Sequence, residues 1–403
     1  MSDVRPSGAS LRPDLSVATP APADAAAGAA RRASPPAGFA RRAGEVFLSV
    51  YFVLYLSLAY FLVLVPFLPT LSTPANLSNL LSNMWPLLVV AVGQTFVLTI
   101  AGIDLSQGAV AGLTSVVGAT LLATAAPVAV LANTPIWGVF LTEQGGLLGG
   151  TAYATAIGVA AMLAVAALIG LANGLSVARL GMPPFMVTLV TMIAVGAFAI
   201  WLTQSNNIRE LPESFITLGK GDIVSVYFGA QEESQISRRE VYSFVTWPMV
   251  IALSVAVVAH VLLNRTVFGR WIFAIGINRK AAEISGVPVV RVIVAVFVIS
   301  AICAAIASIL YTARLETGRP TLGGGNFLLD VIGATVIGGT SLFGGKGKII
   351  WTFFGVLFFV LLSNTLNLMN LSAFHIDMVK GGVILAAALL DVIRTRLMRG
   401  AAT

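Results

Sequence analysis

The sequence is poor in charge. Of its 403 residues, only 10% are Asp, Glu, Lys or Arg, whereas 57% are apolar. An average soluble domain carries roughly 25% charged and about 45–50% apolar residues. So few charges could not cover the surface of a soluble protein of this length, which excludes a water-soluble globular fold. The mean hydropathy of +0.92 indicates that lipid is the solvent for most of the surface.

Groups that carry chemistry are also scarce. The single cysteine, Cys303, excludes an intrachain disulfide and a cysteine-based zinc site, and the histidines His260 and His375 have no neighbouring ligand. No Gly-x-Ser-x-Gly elbow is present. The run Gly344–Lys348 fails as a Walker A motif, because neither lysine is followed by Ser or Thr. We therefore predict no catalytic residue, no metal site, no cofactor on this chain and no enzymatic activity.

What the sequence does have is continuous apolar runs, as in 46–68 and 349–362. A membrane-spanning helix needs about 20 such residues, whereas the strands of a membrane barrel alternate apolar and polar residues. The pattern predicts an all-α polytopic membrane protein with about ten spans. We place the spans at 46–68, 85–103, 106–131, 152–177, 184–204, 246–263, 290–312, 327–342, 349–368 and 375–394. Residues 1–44 should form a disordered tail, 45–396 the membrane domain and 397–403 a second tail.

The basic residues indicate how the chain is oriented. With the N-terminus inside, seventeen of the 24 Lys and Arg residues fall on inside segments and six on outside segments. This asymmetry favours a cytoplasmic N-terminus and C-terminus. It also accounts for the net charge of +7 without a nucleic-acid partner. The polar loop 205–245 then lies outside, and the loop 264–291 lies inside.

Two stretches of the chain resemble each other. Asp104–Gly118 aligned without gaps on Asp330–Gly344 gives six identities, which include both aspartates and three Gly or Thr pairs. The stretches open the third and eighth predicted spans. An odd offset means opposite orientation, so we predict an inverted-topology repeat, as is common in transporters.

Small residues recur at helical spacing. Gly108 and Gly112 form one Gly-x-x-x-Gly pattern, and Gly170 and Gly174 form another. Such a pattern lets two helix backbones approach closely. It is compatible with a dimer face or with packing inside one chain.

Four ionisable residues fall within or beside the spans: Asp104, Asp330, Asp377 and Lys380. Such residues are costly in a membrane and point to function. Asp104 and Asp330 each precede a helix rich in small residues, where a carboxylate could either cap the helix or contact a substrate. Asp377 and Lys380 lie three residues apart, which places them on one helix face and predicts an ion pair between them.

The inside loop contains a local helix signal. Asn278 can cap a short helix over 279–285, and Gly286 with Pro288 can end it. A short amphipathic helix here suits two roles. It could dock a cytoplasmic partner or lie on lipid headgroups.

At this point the chain resembles the membrane permease subunit of ribose-type ATP-binding-cassette sugar importers. The resemblance lies in four stretches: Gly102–Gly108, Asn173–Gly174 with Pro183–Leu189, Asn278–Gly286, and Leu329–Asp330 with Gly338–Gly347. It covers about residues 46–396. The chain departs from the usual pattern in its long tail, its enlarged 205–245 loop, and Gln107, where a small or aliphatic residue is more usual.

The resemblance implies a type II importer-like permease in the bacterial inner membrane. Two copies would form the pathway, and a separate cytoplasmic ATPase would bind ATP and Mg. A periplasmic binding protein would deliver the sugar. It implies that the ATPase docks on a set of residues in the inside loop: Asn278, Ala281, Ala282, Glu283, Ser285 and Gly286. Expected pathway residues are Gln94, Asp104, Asn173, Phe185 and Asp330.

We therefore predict import of a monosaccharide driven by ATP hydrolysis on another chain. The alternative is an ion-coupled secondary transporter of a small polar solute, in which Asp104 and Asp330 would be the coupling sites. A third possibility is a scaffold or regulatory membrane protein that transports nothing.

Overall fold

The computed structural model describes residues 51–227 and 241–400. The predicted tail 1–44 and the last three residues lie outside the described residues, as does the middle of the 205–245 loop. The described chain is mostly helical. In chain order its helices are α1 (Phe52–Leu64), α2 (Pro74–Thr99), α3 (Gln107–Leu122), α4 (Val128–Leu131), α5 (Ala154–Ala178), α6 (Pro184–Thr203), α7 (Glu213–Lys220), α8 (Trp247–Arg265), α9 (Val267–Ile277), α10 (Arg279–Ile284), α11 (Val289–Leu315), α12 (Phe327–Ile337), α13 (Ile349–Leu368) and α14 (Ala373–Gly400).

The helices account for the predicted spans. By length and composition, six described helices can cross a membrane, namely α2, α5, α6, α8, α11 and α13. Shorter apolar helices are α1, α3, α9 and α12. Each of the ten predicted spans overlaps a described helix, so the prediction of an all-α polytopic membrane protein is confirmed. The span predicted at 85–103 begins too late, because α2 begins at Pro74. The span predicted at 106–131 is interrupted, because α3 ends at Leu122 and the chain resumes helix only at Val128.

Two small antiparallel hairpins lie between helices. Strands β1 (Leu141–Thr142) and β2 (Gly145–Gly146) form the first, and β3 (Asp222–Tyr227) and β4 (Val241–Thr246) form the second. The second hairpin and helix α7 belong to the loop predicted at 205–245. This loop is therefore partly ordered secondary structure.

Helices α2 and α11 form the centre of the protein. Every residue of α2 from Met84 to Thr99 is buried. In the most apolar window of each helix, 83% of α2 but only 17% of α6 is buried. The remaining apolar surface of α6 is exposed, as expected for a helix in contact with lipid.

The four glycines of the two Gly-x-x-x-Gly patterns pack against other segments of the same chain. Gly108 and Gly112 of α3 lie against backbone carbonyls of segment 320–323. A Cβ on Gly170 would lie 2.7 Å from the Phe297 carbonyl oxygen, and one on Gly174 would lie 2.7 Å from Val294 Cα. Both patterns therefore let α3 and α5 approach their own chain, and the open choice between a dimer face and internal packing is resolved in favour of packing.

The ungapped alignment of the two similar stretches does not match their secondary structure. Asp104 lies three residues before α3 begins, whereas Asp330 lies within the first turn of α12. The prediction that Asp330 precedes its helix is therefore wrong, because Asp330 lies inside the first turn. What the two regions share is a break between helices: segment 100–106 joins α2 to α3, and segment 338–348 joins α12 to α13. The inverted-topology repeat itself stays a prediction.

The two breaks lie against each other. The Gly345 N–H donates to the Thr99 carbonyl at 2.9 Å, and a Cβ on Gly344 would lie 2.7 Å from the Cβ of Ala101. Gly344 has φ +81° and Gly345 has φ +69°. Glycine adopts these angles without the strain that a side chain would add. Non-helical backbone is tolerated inside a membrane only where protein or a cavity surrounds it.

Candidate functional site

Helix α10 is defined by strong local signals at both ends. The Asn278 Oδ1 accepts the Ala281 N–H at 3.0 Å, which caps the first turn. At the other end Gly286 has φ +82°, and its N–H donates to the Glu283 carbonyl at 3.0 Å. The Val287 N–H donates to the Ala282 carbonyl at 3.1 Å, which completes a Schellman motif. The helix predicted over 279–285 is confirmed, one residue shorter.

One face of this capped helix is anchored and the rest is free. Ala282 is only 4% exposed and packs into the main hydrophobic core. The Arg279 Nη2 donates to the Ala178 carbonyl at 3.5 Å, which joins α10 to the end of α5. The other predicted docking residues, Ala281, Glu283 and Ser285, are exposed. Ile284 beside them is 88% exposed, which sequence reasoning did not single out.

The capped helix is joined directly to the two helix breaks. Gly276, in the last turn of α9, lies against the Thr99 carbonyl. A Cβ added at Gly276 would lie 2.6 Å from the Gly345 nitrogen. A Cβ on Gly345 would in turn lie 2.8 Å from Ile277 Cγ1. No side chain separates these backbones. The end of α9, which leads into α10, therefore packs backbone to backbone against the end of α2 and against the break between α12 and α13.

A second group of residues surrounds Asp104, which is 1% exposed. Its Oδ1 accepts the Ser106 N–H at 2.9 Å and the Ser106 hydroxyl at 2.6 Å. Its Oδ2 accepts the Ser300 hydroxyl at 2.7 Å. Within the described residues no cation pairs with this carboxylate, and no cluster of three His, Cys, Asp or Glu could hold a metal. Hydroxyl and amide donors alone stabilise the carboxylate.

The network around Asp104 extends through amides and hydroxyls to other helices. The Asn173 Nδ2 of α5 donates to the Ser106 hydroxyl at 3.0 Å, and the Thr191 hydroxyl of α6 donates to Asn173 Oδ1 at 2.6 Å. The Gln107 Nε2 donates to the Ser300 hydroxyl of α11 at 2.8 Å. Two expected pathway residues, Asp104 and Asn173, are thus brought together. The hydroxyl residues that complete the network were missed, and their only sequence signal is a polar side chain within an apolar run.

Asp330 lies elsewhere, in an ion pair. Lys380 Nζ is 3.0 Å from Asp330 Oδ1 and 2.9 Å from Oδ2, so α14 is tied to α12. The predicted pair of Lys380 with Asp377 is therefore wrong. The Lys380 ammonium group instead donates to both carboxylate oxygens of Asp330 on the neighbouring helix. Lys380 also lies 5.5 Å from the ring centroid of Phe359, within range of a cation–π contact.

Gln94 and Phe185 have no side-chain hydrogen bond to either group among the described residues. Gln94 on α2 is fully buried, and neither its Oε1 nor its Nε2 has a partner there. Phe185 lies in the first turn of α6 and is 51% exposed. A pathway role for Gln94, Asp104, Asn173, Phe185 and Asp330 stays a prediction.

A cavity of about 690 Å³ opens at the end of the protein where α2 and α12 begin and α11 ends. Helix α2 contributes Ser78, Ser82 and Asn83, and α11 contributes Tyr311 and Arg314. The end of α7, the start of α8, parts of β3 and β4, segment 322–324 and the first turn of α12 complete the wall. We call this the α2–α11 cavity. Sequence reasoning did not identify it, because its lining comes from segments far apart in the chain.

Helices long and apolar enough to cross a membrane, together with an exposed capped helix, define a multi-spanning membrane protein. Residues 76–388 match the family described as the permease component of branched-chain amino acid transport systems. The chain belongs to this permease family, and the ribose-type resemblance found in the sequence is confirmed.

Curated relatives cover most of the chain. It is 34% identical over 323 residues to the ribose import permease protein of Bacillus subtilis, covering 80% of this chain and 86% of the relative. It is 33% identical to the ribose import permease protein of Escherichia coli strain K12, covering 83% and 92%. It is 30% identical to the galactose/methyl galactoside import permease protein of Haemophilus influenzae, covering 86% and 94%. No solved structure gives a significant match.

Proposed function

We propose that this chain is the membrane-spanning permease subunit of an ATP-binding-cassette importer that carries a monosaccharide across the bacterial inner membrane. The observation that carries the proposal is the exposed, doubly capped helix α10 in a chain whose relatives are named as permeases for ribose, galactose, arabinose and allose. In this proposal the chain transports and does not catalyse, and ATP and Mg bind to a separate subunit.

The partners follow from the same assignment. A cytoplasmic ATPase docks on the capped helix through the exposed Ala281, Glu283 and Ser285, while Asn278 and Gly286 shape the helix and Ala282 anchors it. A second copy of this chain completes a homodimer, and a periplasmic sugar-binding protein docks on the opposite face. The N-terminus and C-terminus then lie in the cytoplasm, loop 264–291 faces the ATPase, and the 205–245 loop with the α2–α11 cavity faces the periplasm.

Backbone contacts supply a coupling route. When ATP closes the ATPase, the force on α10 reaches Gly276, which lies against Thr99 and Gly345. Thr99 is the last residue of α2, and Gly345 lies in the break between α12 and α13. A small displacement there shifts both breaks together, and the partner's preference for one state sets the balance between outward and inward openings.

Uptake into membrane vesicles tests the assignment. We expect labelled ribose, arabinose, allose or galactose to accumulate only when the ATPase, the binding protein and ATP are all present. An ionophore should leave the rate unchanged. Uptake by this chain alone that collapses with the ionophore would establish the ion-coupled alternative. Partner binding with no flux of any solute would establish the scaffold alternative.

The buried carboxylate provides a test against ion coupling. In Asp104→Asn, the amide oxygen still accepts the Ser106 N–H and hydroxyl, and the Ser300 hydroxyl can rotate to accept from the amide nitrogen. We expect this variant to keep its fold and most of its ATP-dependent uptake. Asp104→Leu removes every acceptor and should lose folded protein, because each unsatisfied buried donor costs about 1–3 kcal/mol.

The measurements are folded yield by size-exclusion chromatography and uptake in vesicles. A well-folded Asp104→Asn protein with no uptake would contradict the structural role, since it would mean that the negative charge itself is needed.

A further inference from the structure

The α2–α11 cavity is lined by both polar and aromatic groups. Ser78 and Ser82 lie one turn apart on α2, with Asn83 beside them. Tyr311 and Phe327 meet edge to face, with ring centroids 6.0 Å apart. Helix α2 thus offers hydroxyl and amide groups, and α11 with α12 offers aromatic surface. The lining also includes Lys220, Asp222, Ser243 and Thr246. The volume of about 690 Å³ lies within the usual range of small-molecule sites, about 300–1,000 Å³.

Arg314 is held in position in the cavity lining. Its Nη1 donates to Asn83 Oδ1 at 2.8 Å, and its Nη2 donates to Asn79 Oδ1 at 3.1 Å. The guanidinium has five N–H donors, so donors remain after these two bonds. The amides therefore orient the guanidinium, and it remains able to donate to a guest.

The α2 wall also offers free acceptors. The Ser82 hydroxyl donates its proton to the Ser78 carbonyl at 2.8 Å, which leaves its lone pairs available. Pro86, four residues further along, has no N–H, so the Ser82 carbonyl loses its intrahelical donor. A guest rich in hydroxyl groups can donate to both.

Gln94 continues the polar face of α2 into the protein. It lies eleven residues after Asn83. Eleven residues make three helical turns plus roughly 20°, which places Gln94 on the same face of α2, and they rise about 16 Å along the helix axis. Both of its amide atoms are fully buried and have no partner among the described residues. Buried amides are nearly always hydrogen-bonded, so this amide suits a state in which a polar guest or water reaches it.

We propose that the α2–α11 cavity binds the transported monosaccharide directly, within a single permease chain. The sugar hydroxyls bond to Ser78, Ser82, Asn83 and Arg314, and the C–H face of the sugar ring packs on Tyr311 and Phe327. This inference rests on the proposed function. It adds a selecting site on the permease itself, where selection would otherwise fall to the binding protein alone.

Thiol protection tests the site, because the native chain has one cysteine and that residue is buried. Ser82→Cys places a reactive group in the cavity wall, and Ser72→Cys places one at the exposed end of the short helix Pro69–Ser72, outside the cavity. Each full-length variant is reconstituted in lipid nanodiscs without partners. The labelling rate by a hydrophilic methanethiosulfonate is then measured against rising ribose, arabinose, allose or galactose. Glycine betaine, which has no hydroxyl group, controls for osmotic effects.

We expect at least one sugar to slow the labelling of Ser82→Cys, by about twofold when its concentration equals the dissociation constant. Labelling of Ser72→Cys should not change. Adding Tyr311→Ala should abolish protection, whereas Tyr153→Ala, an exposed tyrosine outside the cavity, should leave it intact. Ser243→Cys, on the part of the wall that β4 contributes and outside the proposed sugar contacts, is labelled in parallel, so that loss of the Ser82 hydroxyl cannot by itself explain a lack of protection.

Equal labelling of both Ser82→Cys and Ser243→Cys with and without every sugar, or equal slowing of Ser82→Cys and Ser72→Cys, would overturn the site. The uptake assay with ATPase and binding protein separates this failure from a failure of the proposed function. Normal uptake without protection removes only the cavity site. Absence of uptake by the native chain for every sugar removes the proposed function itself.

Discussion

Glu283→Arg should abolish ATP-dependent sugar uptake while leaving the amount of protein in the membrane unchanged. Glu283 is exposed on α10, and no hydrogen bond or ion pair of its side chain occurs within the described residues. Reversing its charge therefore costs the fold little, since surface substitutions away from special features change stability by about 0.5 kcal/mol or less. A docking surface, by contrast, is strongly disfavoured when like charges are brought together.

The matched control is Glu143→Arg, a charge reversal at an exposed glutamate between β1 and β2, in a different part of the chain. Its uptake should equal that of the native protein. Uptake and co-purification of the ATPase are measured for both variants. Native levels of both in Glu283→Arg would show that the capped helix is not the docking surface, and would favour the interfacial role on lipid headgroups.

Lys380→Met should destabilise the protein. The substitution preserves the side-chain length but leaves the Asp330 carboxylate without its cation, at a position where that side chain is only 23% exposed. Removing one partner of a fully buried ion pair costs about 3–5 kcal/mol, and we expect a smaller loss for this partly buried pair, because solvent screens the remaining carboxylate. We expect a clear loss of the fraction that stays monodisperse after heating in detergent, measured by fluorescence-detected size-exclusion chromatography.

Two further variants isolate the ion pair. The double variant Asp330→Asn with Lys380→Met should recover most of the lost stability, because neither charge remains. Asp377→Asn should be close to native, since Lys380 bonds to Asp330 instead. If Asp377→Asn were as damaging as Lys380→Met, the ion pair predicted from sequence spacing would be the correct one.

Local and compositional features could be predicted from the sequence. The spans were found because lipid requires helical backbone with a long apolar surface. Helix α10 was found because Asn278 and Gly286, which define its ends, lie next to it in the chain. Such signals need no knowledge of distant residues.

The misplaced span end shows where hydropathy stops being informative. Residues after Leu122 continue the apolar composition, so the span was extended to 131. In the structure Ala123 and Leu131 are fully buried in protein, outside any long helix. Composition alone does not distinguish a residue buried in protein from one in contact with lipid.

Partners across the fold could not be predicted. Spacing on one helix assigned Lys380 to Asp377, whereas its partner Asp330 lies 50 residues away. Ser300, a hydroxyl partner of Asp104, and the walls of the α2–α11 cavity likewise come from segments far apart in the chain. Only the packing of these segments in the fold brings such residues together.

The hydrogen bonding of Asp104 has a consequence for the synthesis of the chain. Ser300, which supplies one of its hydrogen bonds, is synthesised 196 residues later. At a translation rate of about 5–20 residues per second, this delay is roughly 10–40 s. During that time the carboxylate has no access to a main partner and is disfavoured in lipid. Until α11 is made, Ser106 alone supplies hydrogen bonds to this carboxylate, so the burial of Asp104 is completed only when the second half of the chain packs against the first.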